Sequence, residues 1–283
     1  MQTEKLHIRD LPDAIVDEVS DAIAQFTVGL QRVVVKGRLE DCELIGTGTL
    51  VYVGGFHAIL TAEHVLAVLG PKQRLALLTS FEGRLRRHVF DPTHIQVHRI
   101  ARGTDDSKGP DVGLIILPSN NIGNLSAEKS FFNLDKRVER FREGFVDRDR
   151  GFWFSIGVVG ESEIELAPQS GFARIKGYQS LCGTSTQPRE YEDSDYDYLE
   201  VRVDYEPENP ELPRSFGGFS GGGIWHVPMR RAPDGRLEPE EYILSGLTFF
   251  QTAVENGVRL LRCHGRKTVY VKVPAYVEHQ RGS

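Results

Sequence analysis

Residues 217–223 read Gly-Gly-Phe-Ser-Gly-Gly-Gly and run straight into the apolar pair Ile224-Trp225. Glycine tolerates positive φ and leaves room for close approach, so such a run suits a backbone that bends sharply and turns its N–H groups outward. The stretch therefore reads as a tight, exposed loop with Ser220 at its tip, feeding a buried strand. A serine held this way can act as a nucleophile. Its hydroxyl is weak at neutral pH, so a base and an orienting carboxylate must come from elsewhere in the chain. Two upstream stretches offer them: Ile59-Leu60-Thr61-Ala62-Glu63-His64-Val65, and Asp111-Val112-Gly113-Leu114-Ile115-Ile116-Leu117.

Alone, each residue has an ordinary reading: a turn serine, a satisfied histidine after a strand, an aspartate capping a strand. Together, with Gly46-Thr47-Gly48 ahead of them, the stretches resemble the chymotrypsin/trypsin-like serine proteases. That family carries a T-A-x-H-V stretch after a G-T-G strand, then D-[VI]-[AG]-L-x-x-L, then G-x-S-G-G. The order His, Asp, Ser discriminates, since unrelated serine hydrolases place the same groups in other orders. The resemblance spans roughly residues 33–273. It implies a mainly β fold of two antiparallel β-barrels of chymotrypsin-like type, here with an N-terminal helix. It also implies endopeptidase chemistry through His64, Asp111 and Ser220, an oxyanion hole from the N–H groups of Gly218 and Ser220, and no cofactor.

Composition sets limits on this expectation. A chain of 283 residues can bury a sizeable core as one large or two small domains, and its 40% hydrophobic and 26% charged residues are ordinary for a globular protein. The formal net charge of -6 is not dominated by any basic run, which gives no electrostatic footprint for nucleic acid. No apolar stretch approaches 18 residues and the N-terminus is polar, so neither a membrane span nor a secretion signal is expected. Cys42, Cys182 and Cys263 are odd in number and far apart, which points to buried thiols in a reducing, cytoplasmic setting rather than a disulfide framework.

In chain order, residues 1–28 form an N-terminal extension in which Asp10-Leu11-Pro12-Asp13 signals a helix start. Ile15, Val19, Ala22, Ile23 and Phe26 recur on one face, predicting a helix packed on the body. Residues 29–125 form the first barrel, with strands at 31–35, 46–53, 56–61, 74–79, 84–90 and 93–101, a Gly54-Gly55 hairpin and Asp111 at the head of a further strand. Residues 126–150 are the bridge, with Phe131, Leu134, Val138 and Phe141 at helical spacing over 126–142. Residues 151–283 form the second barrel, with six strands at 151–160, 171–178, 198–205, 222–227, 242–250 and 268–273.

His57 is the nearest rival to His64 as base but lacks the Thr-Ala-x-His approach. His7, His88, His94, His98, His226, His264 and His279 lie in no such context and read as structural or exposed. The family resemblance also sets departures. Phe219 stands where digestive members carry the aspartate that captures a cleaved N-terminus, and no Ile-Val-Gly-Gly-like start is present, so activation by that route is not expected. Glu63 occupies a position where many relatives have alanine.

Arg214, with Ser215 beside it, holds the position that often lines the primary pocket in the family. Either it lines that pocket and favours acidic residues before the scissile bond, or the 210–216 loop takes another path and leaves it on the surface. Phe249, Phe250 and Gln251 are the expected wall. Asp193, Asp195 and Asp197 mimic the opening of a calcium loop, but Tyr198 replaces its glycine and Asp204 its glutamate, so the stretch reads as a solvated acidic loop able to meet a basic partner. Two classes of function remain. One is a protease acting on protein or peptide substrates, gated by a partner as in the bacterial signalling and defence systems that use similar domains. The other is a catalytically silent binding module on a protease fold.

Overall fold

The computed structural model describes residues 11–36, 39–81, 84–142, 151–169, 172–184, 186–204 and 215–282. The 1–9 lead-in, His7, Asp10, the 143–150 end of the expected bridge and Arg214 lie outside them, as does the side chain of Cys182.

The chain is mainly β, in two antiparallel sheets. Helix α1 (Asp13–Ala24) buries Ile15, Val19 and Ile23 on the face that the sequence period marks. Strands β1 (Thr27–Lys36), β2 (Leu39–Val53) and β3 (Phe56–Thr61) follow, with Gly54 and Gly55 at φ 57° and 84° closing the β2–β3 hairpin. The short helix α2 (Glu63–Ala67) carries His64 away from β3. Then come β4 (Leu75–Phe81), β5 (Arg84–Phe90), β6 (Gln96–Arg102) and β7 (Asp111–Ile116). The first sheet is ordered β5-β4-β1-β2-β3-β7-β6.

Between the sheets the expected single helix over 126–142 is corrected to three pieces: α3 (Ser119–Ser126), β8 (Phe132–Asn133) and α4 (Asp135–Arg142). Burial decides against continuity. Phe132 sits against Trp225 and Phe26, with ring centroids 5.0 and 5.5 Å away, and its backbone pairs in parallel with Val51 of β2. Phe131, Leu134, Val138 and Phe141 keep a helical spacing, yet Phe131 lies on the far side of that break, against His57.

The second sheet is ordered β10-β9-β13-β16-β17-β12-β11. Its strands are β9 (Phe152–Gln169), β10 (Phe172–Thr184), β11 (Arg189–Asp193), β12 (Tyr196–Asp204), β13 (Gly223–Val227), β16 (Ile243–Gln251) and β17 (Val258–His264), with β14 (Met229–Arg231) and β15 (Leu237–Pro239) forming a separate ribbon. No pairing among the described residues joins the outer strands of either sheet. The acidic stretch proves to be the β11–β12 hairpin, turning at Ser194 and Asp195 with φ 49° and 73°.

The expected strand over 268–273 is instead a π-helical turn, Thr268–Lys272, running into α5 (Val273–Gly282). Its β-branched residues favour a strand locally, but Asp197 overrides them. The Asp197 carboxylate accepts the N–H groups of Lys267 and Thr268 and the Thr268 hydroxyl, each at 2.7 Å, which satisfies the helix start. Val269, Tyr270, Val273 and Val277 then enter a core shared by both sheets, which also holds α1 residues, Leu60, Val112, Phe154 and Trp225. Cys42 and Cys263 are buried free thiols, and burial pushes Cys263 up to about 12.

Candidate active site

Asp111 opens β7 of the first sheet, His64 lies on α2 just past β3, and Ser220 comes from the loop that enters β13 of the second sheet. The hydrogen-bond accounting of that loop is nearly closed. Every carbonyl of residues 217–222 accepts a bond: Gly217 from Gly160 N–H, Gly218 from the Thr47 hydroxyl at 2.6 Å, Phe219 from Gly222 N–H, Ser220 from Thr47 N–H at 2.8 Å, Gly221 from the Thr49 hydroxyl, and Gly222 from Thr248 N–H. Four of its six N–H groups donate, from Gly217, Phe219, Gly221 and Gly222. Within this loop only the N–H groups of Gly218 and Ser220 lack an acceptor among the described residues. Both residues are partly exposed, so this pair of backbone donors is left to meet water or an incoming acceptor.

The conformation that exposes them needs glycine. Gly218 has φ 97°, and a Cβ there would stand 2.5 Å from Val158 O; Gly221 has φ 91°, and its Cβ would stand 1.9 Å from Thr47 O. Phe219 does the anchoring from below. It is buried in the second sheet's core, edge-on to Phe216 at 4.9 Å.

His64 Nδ1 lies 2.6 Å from Asp111 Oδ2, and the His64 backbone N–H donates to Oδ1 at 3.0 Å. The carboxylate thus holds both the ring and the main chain of the same residue. With Nδ1–H committed to Asp111, Nε2 is the ring's basic nitrogen. Burial pushes the Asp111 carboxyl up, but the hydrogen bonds and charge of His64 and the charge of Arg102 outweigh it and hold it below its ordinary range. Asp111 stays anionic beside a ring that is about one-third exposed.

His64 and Ser220 line one cavity of about 360 Å³, together with Phe216, Phe249, Phe250 and Gln251. The Ser220 hydroxyl makes a long hydrogen bond to Phe249 O, 3.4 Å, rather than one to His64. Of the expected wall, Phe249, Phe250 and Gln251 all line the cavity. Ser215 stands behind it, its hydroxyl accepting from Gly217 N–H and Gln251 Nε2. His57 lies elsewhere, between Tyr52 and Phe131 in a second hollow that includes Lys129, so the rival base is not brought to the serine.

Several residues at the site escape the sequence reading. Thr47 is visible there only as the middle of Gly-Thr-Gly; in the fold it bonds the 217–222 loop through both backbone and side chain, and its hydroxyl also accepts from Val158 N–H at 2.9 Å. Arg102 donates to Asp111 Oδ2 at 3.2 Å and to Asp106 at 2.6 Å, and pairs with Glu63 at 3.4 Å. Glu63, a variable position by family resemblance, is buried here between Arg99 and Arg102. His264, grouped with the structural or exposed histidines, is fully buried and accepts from the Asp111 backbone N–H. A surface arginine and an isolated histidine carry no local pattern that distinguishes them.

No group of histidine, cysteine, aspartate and glutamate among the described residues could hold a metal ion, and Asp197 is spent on the helix start. No protein-family model matches the chain, and no curated protein matches it.

Proposed function

We propose that this protein is a serine endopeptidase of chymotrypsin/trypsin-like type, using His64, Asp111 and Ser220. The observation that carries the reading is the coincidence at one cavity of an aspartate-bound histidine and a serine, the serine sitting in a loop whose Gly218 and Ser220 N–H groups have no protein acceptor among the described residues. Ser220 Oγ attacks the peptide carbonyl while His64 Nε2 takes its proton. The carbonyl oxygen, now negative, accepts from the two N–H groups, donors that can each be worth about 3–4 kcal/mol in the transition state. His64 passes the proton to the leaving amine, and water resolves the acyl-enzyme by the same route. Asp111 holds the tautomer and stabilises the imidazolium. For this the serine hydroxyl rotates from Phe249 O toward His64, as hydrogen bonds at such sites tighten when substrate binds.

Phe219 supports a site that is complete without insertion of a freshly cleaved N-terminus, because its ring, not a captured ammonium, seats the loop. Two buried free thiols fit a reducing, cytoplasmic setting, where a protease calls for restraint by a partner, as in bacterial signalling or defence. One observation favours a second reading, a silent binding module: the Ser220 hydroxyl rests on Phe249 O.

The deciding experiment is fluorophosphonate labelling of purified protein beside Ser220→Ala. Labelling that the substitution abolishes supports the hydrolase; absence of labelling in both, with and without candidate partners, supports the binding module. A peptide library then decides the pocket, where cleavage after Asp or Glu would bring in Arg214 and cleavage after Lys, Arg or Leu would sink that role.

A further inference from the structure

His264 is chemically out of place. It is the last residue of β17, fully buried, and ringed by Tyr198, Phe249 and Tyr196 at centroid distances of 5.1, 4.8 and 5.8 Å. An apolar side chain would fill that box at less cost, since burying an imidazole without full hydrogen bonding is unfavourable. One nitrogen is used: Nε2 accepts from Asp111 N–H at 2.9 Å. That bond fixes the tautomer, placing the proton on Nδ1, and Nδ1 has no partner among the described residues. The fold thus tolerates an unmet donor to keep an acceptor at one place.

That place is the first residue of β7, whose carboxylate holds His64. The N–H that His264 receives belongs to the backbone from which that carboxylate projects. The same strand holds the preceding loop as well: Arg262 donates to Ser107 O at 2.7 Å and is itself held by Glu200 at 3.1 Å. Two side chains of β17, from the second sheet, therefore grip the segment that delivers Asp111 from the first.

We infer that His264 is a positioning residue, a neutral acceptor that fixes the Asp111 backbone so that its carboxylate meets His64 Nδ1 in line. The inference rests on the hydrolase reading for its kinetic consequence but not for its structural one. Burial keeps the ring in the required neutral form, pushing it down to about 4. The groups around it are the Asp111 carboxylate, the phenols of Tyr196 and Tyr198, and the Asp197 carboxylate next to Gly265; the Asp111 charge favours a protonated ring, and burial outweighs it.

The test compares His264→Phe, which keeps the ring packing and removes the acceptor, with His264→Gln, which offers an acceptor oxygen in its place. Two readouts are taken: the acid limb of the kcat/KM profile, and the far-downfield proton resonance of the His64–Asp111 hydrogen bond. For His264→Phe the expectation is a loss on the order of 10²-fold in kcat/KM, as for a misplacement of about 1 Å, with a displaced acid limb and a shifted or lost resonance. His264→Gln should recover most of all three. A Phe variant matching the parent in both readouts overturns the inference, and so do equal losses in both variants with the acid limb unmoved, which would mean packing alone. If the Phe variant does not fold, the Gln variant decides: a parental acid limb and resonance uphold the role, and displaced ones overturn it. The resonance is read whether or not the protein hydrolyses anything. Its loss in His264→Phe, in a protein that no fluorophosphonate labels, would keep the positioning role and sink the hydrolase.

Discussion

Asp111 is the residue on which most of the site's contacts converge: two bonds with His64, one from Arg102 and one to His264. Its carboxylate oxygens accept and cannot be replaced by an amide without reversing a donor. On the proposed hydrolase reading, Asp111→Asn should therefore leave the fold intact while lowering kcat by about 10⁴-fold, through the wrong tautomer of His64, in an assay of a cleaved substrate. Arg102 makes the opposite kind of contribution. It draws charge from the same oxygen that faces His64, so Arg102→Gln should raise the apparent pKa of the acid limb, by strengthening the hold of Asp111 on a protonated ring. An acid limb that stays still or falls would show that Arg102 acts through Asp106 and Glu63 instead. At the nucleophile loop, Gly221→Ala puts a methyl 1.9 Å from a carbonyl at a φ that costs alanine about 1–3 kcal/mol. It should lower the melting temperature and abolish fluorophosphonate labelling together, whereas Ser220→Ala should abolish labelling alone.

At the scale of elements, the informative contrast is between stretches decided locally and stretches decided at a distance. Asp197→Ala removes three bonds from the start of the C-terminal helical segment and should cost about 0.5–2 kcal/mol, read as a lower urea midpoint at unchanged m. The sequence shows why this segment misleads: Thr268-Val269-Tyr270-Val271 favours a strand, and the carboxylate that makes it a helix lies about seventy residues earlier. The break at Phe132 is of the same kind, set by Trp225 and Phe26. The β2–β3 hairpin, α1 and the turn of the nucleophile loop were legible because glycine, alternation and helical spacing act within a few residues. At the candidate site, the three residues and the two N–H groups were named from motifs in order; of them His64 and Ser220 line one cavity, and Asp111 is bonded to His64 behind it. Their supports were not readable. Thr47, Arg102, Glu63 and His264 matter through partners far along the chain, and no local period encodes that.

Across the whole molecule, two buried titrations join that of Asp111 on the acid side of stability. His264 is lowered to about 4, so the unfolded chain binds its proton first as pH falls, and its stabilisation is lost between about 6.5 and 4. Glu128, accepting from Thr79, Arg86 and His88, is held down at about 2 although burial opposes this, so its share is present above about 4.5 and lost from there to about 2. Each loss is on the order of 3 kcal/mol. The urea midpoint should therefore fall in two stages on acidification, and His264→Phe should remove the upper stage while leaving the lower. The linkage between halves also has a temporal side. A chain leaving the ribosome presents His64, Asp111 and Ser220 before it presents Thr248, which holds the loop's Gly221 and Gly222, or His264, which holds Asp111. Domains form as their residues emerge. The parts of the chemistry are thus made before the clamps that align them, so on the proposed reading the cell that makes this protein meets a working nucleophile only once β17 has followed Ser220 out of the ribosome.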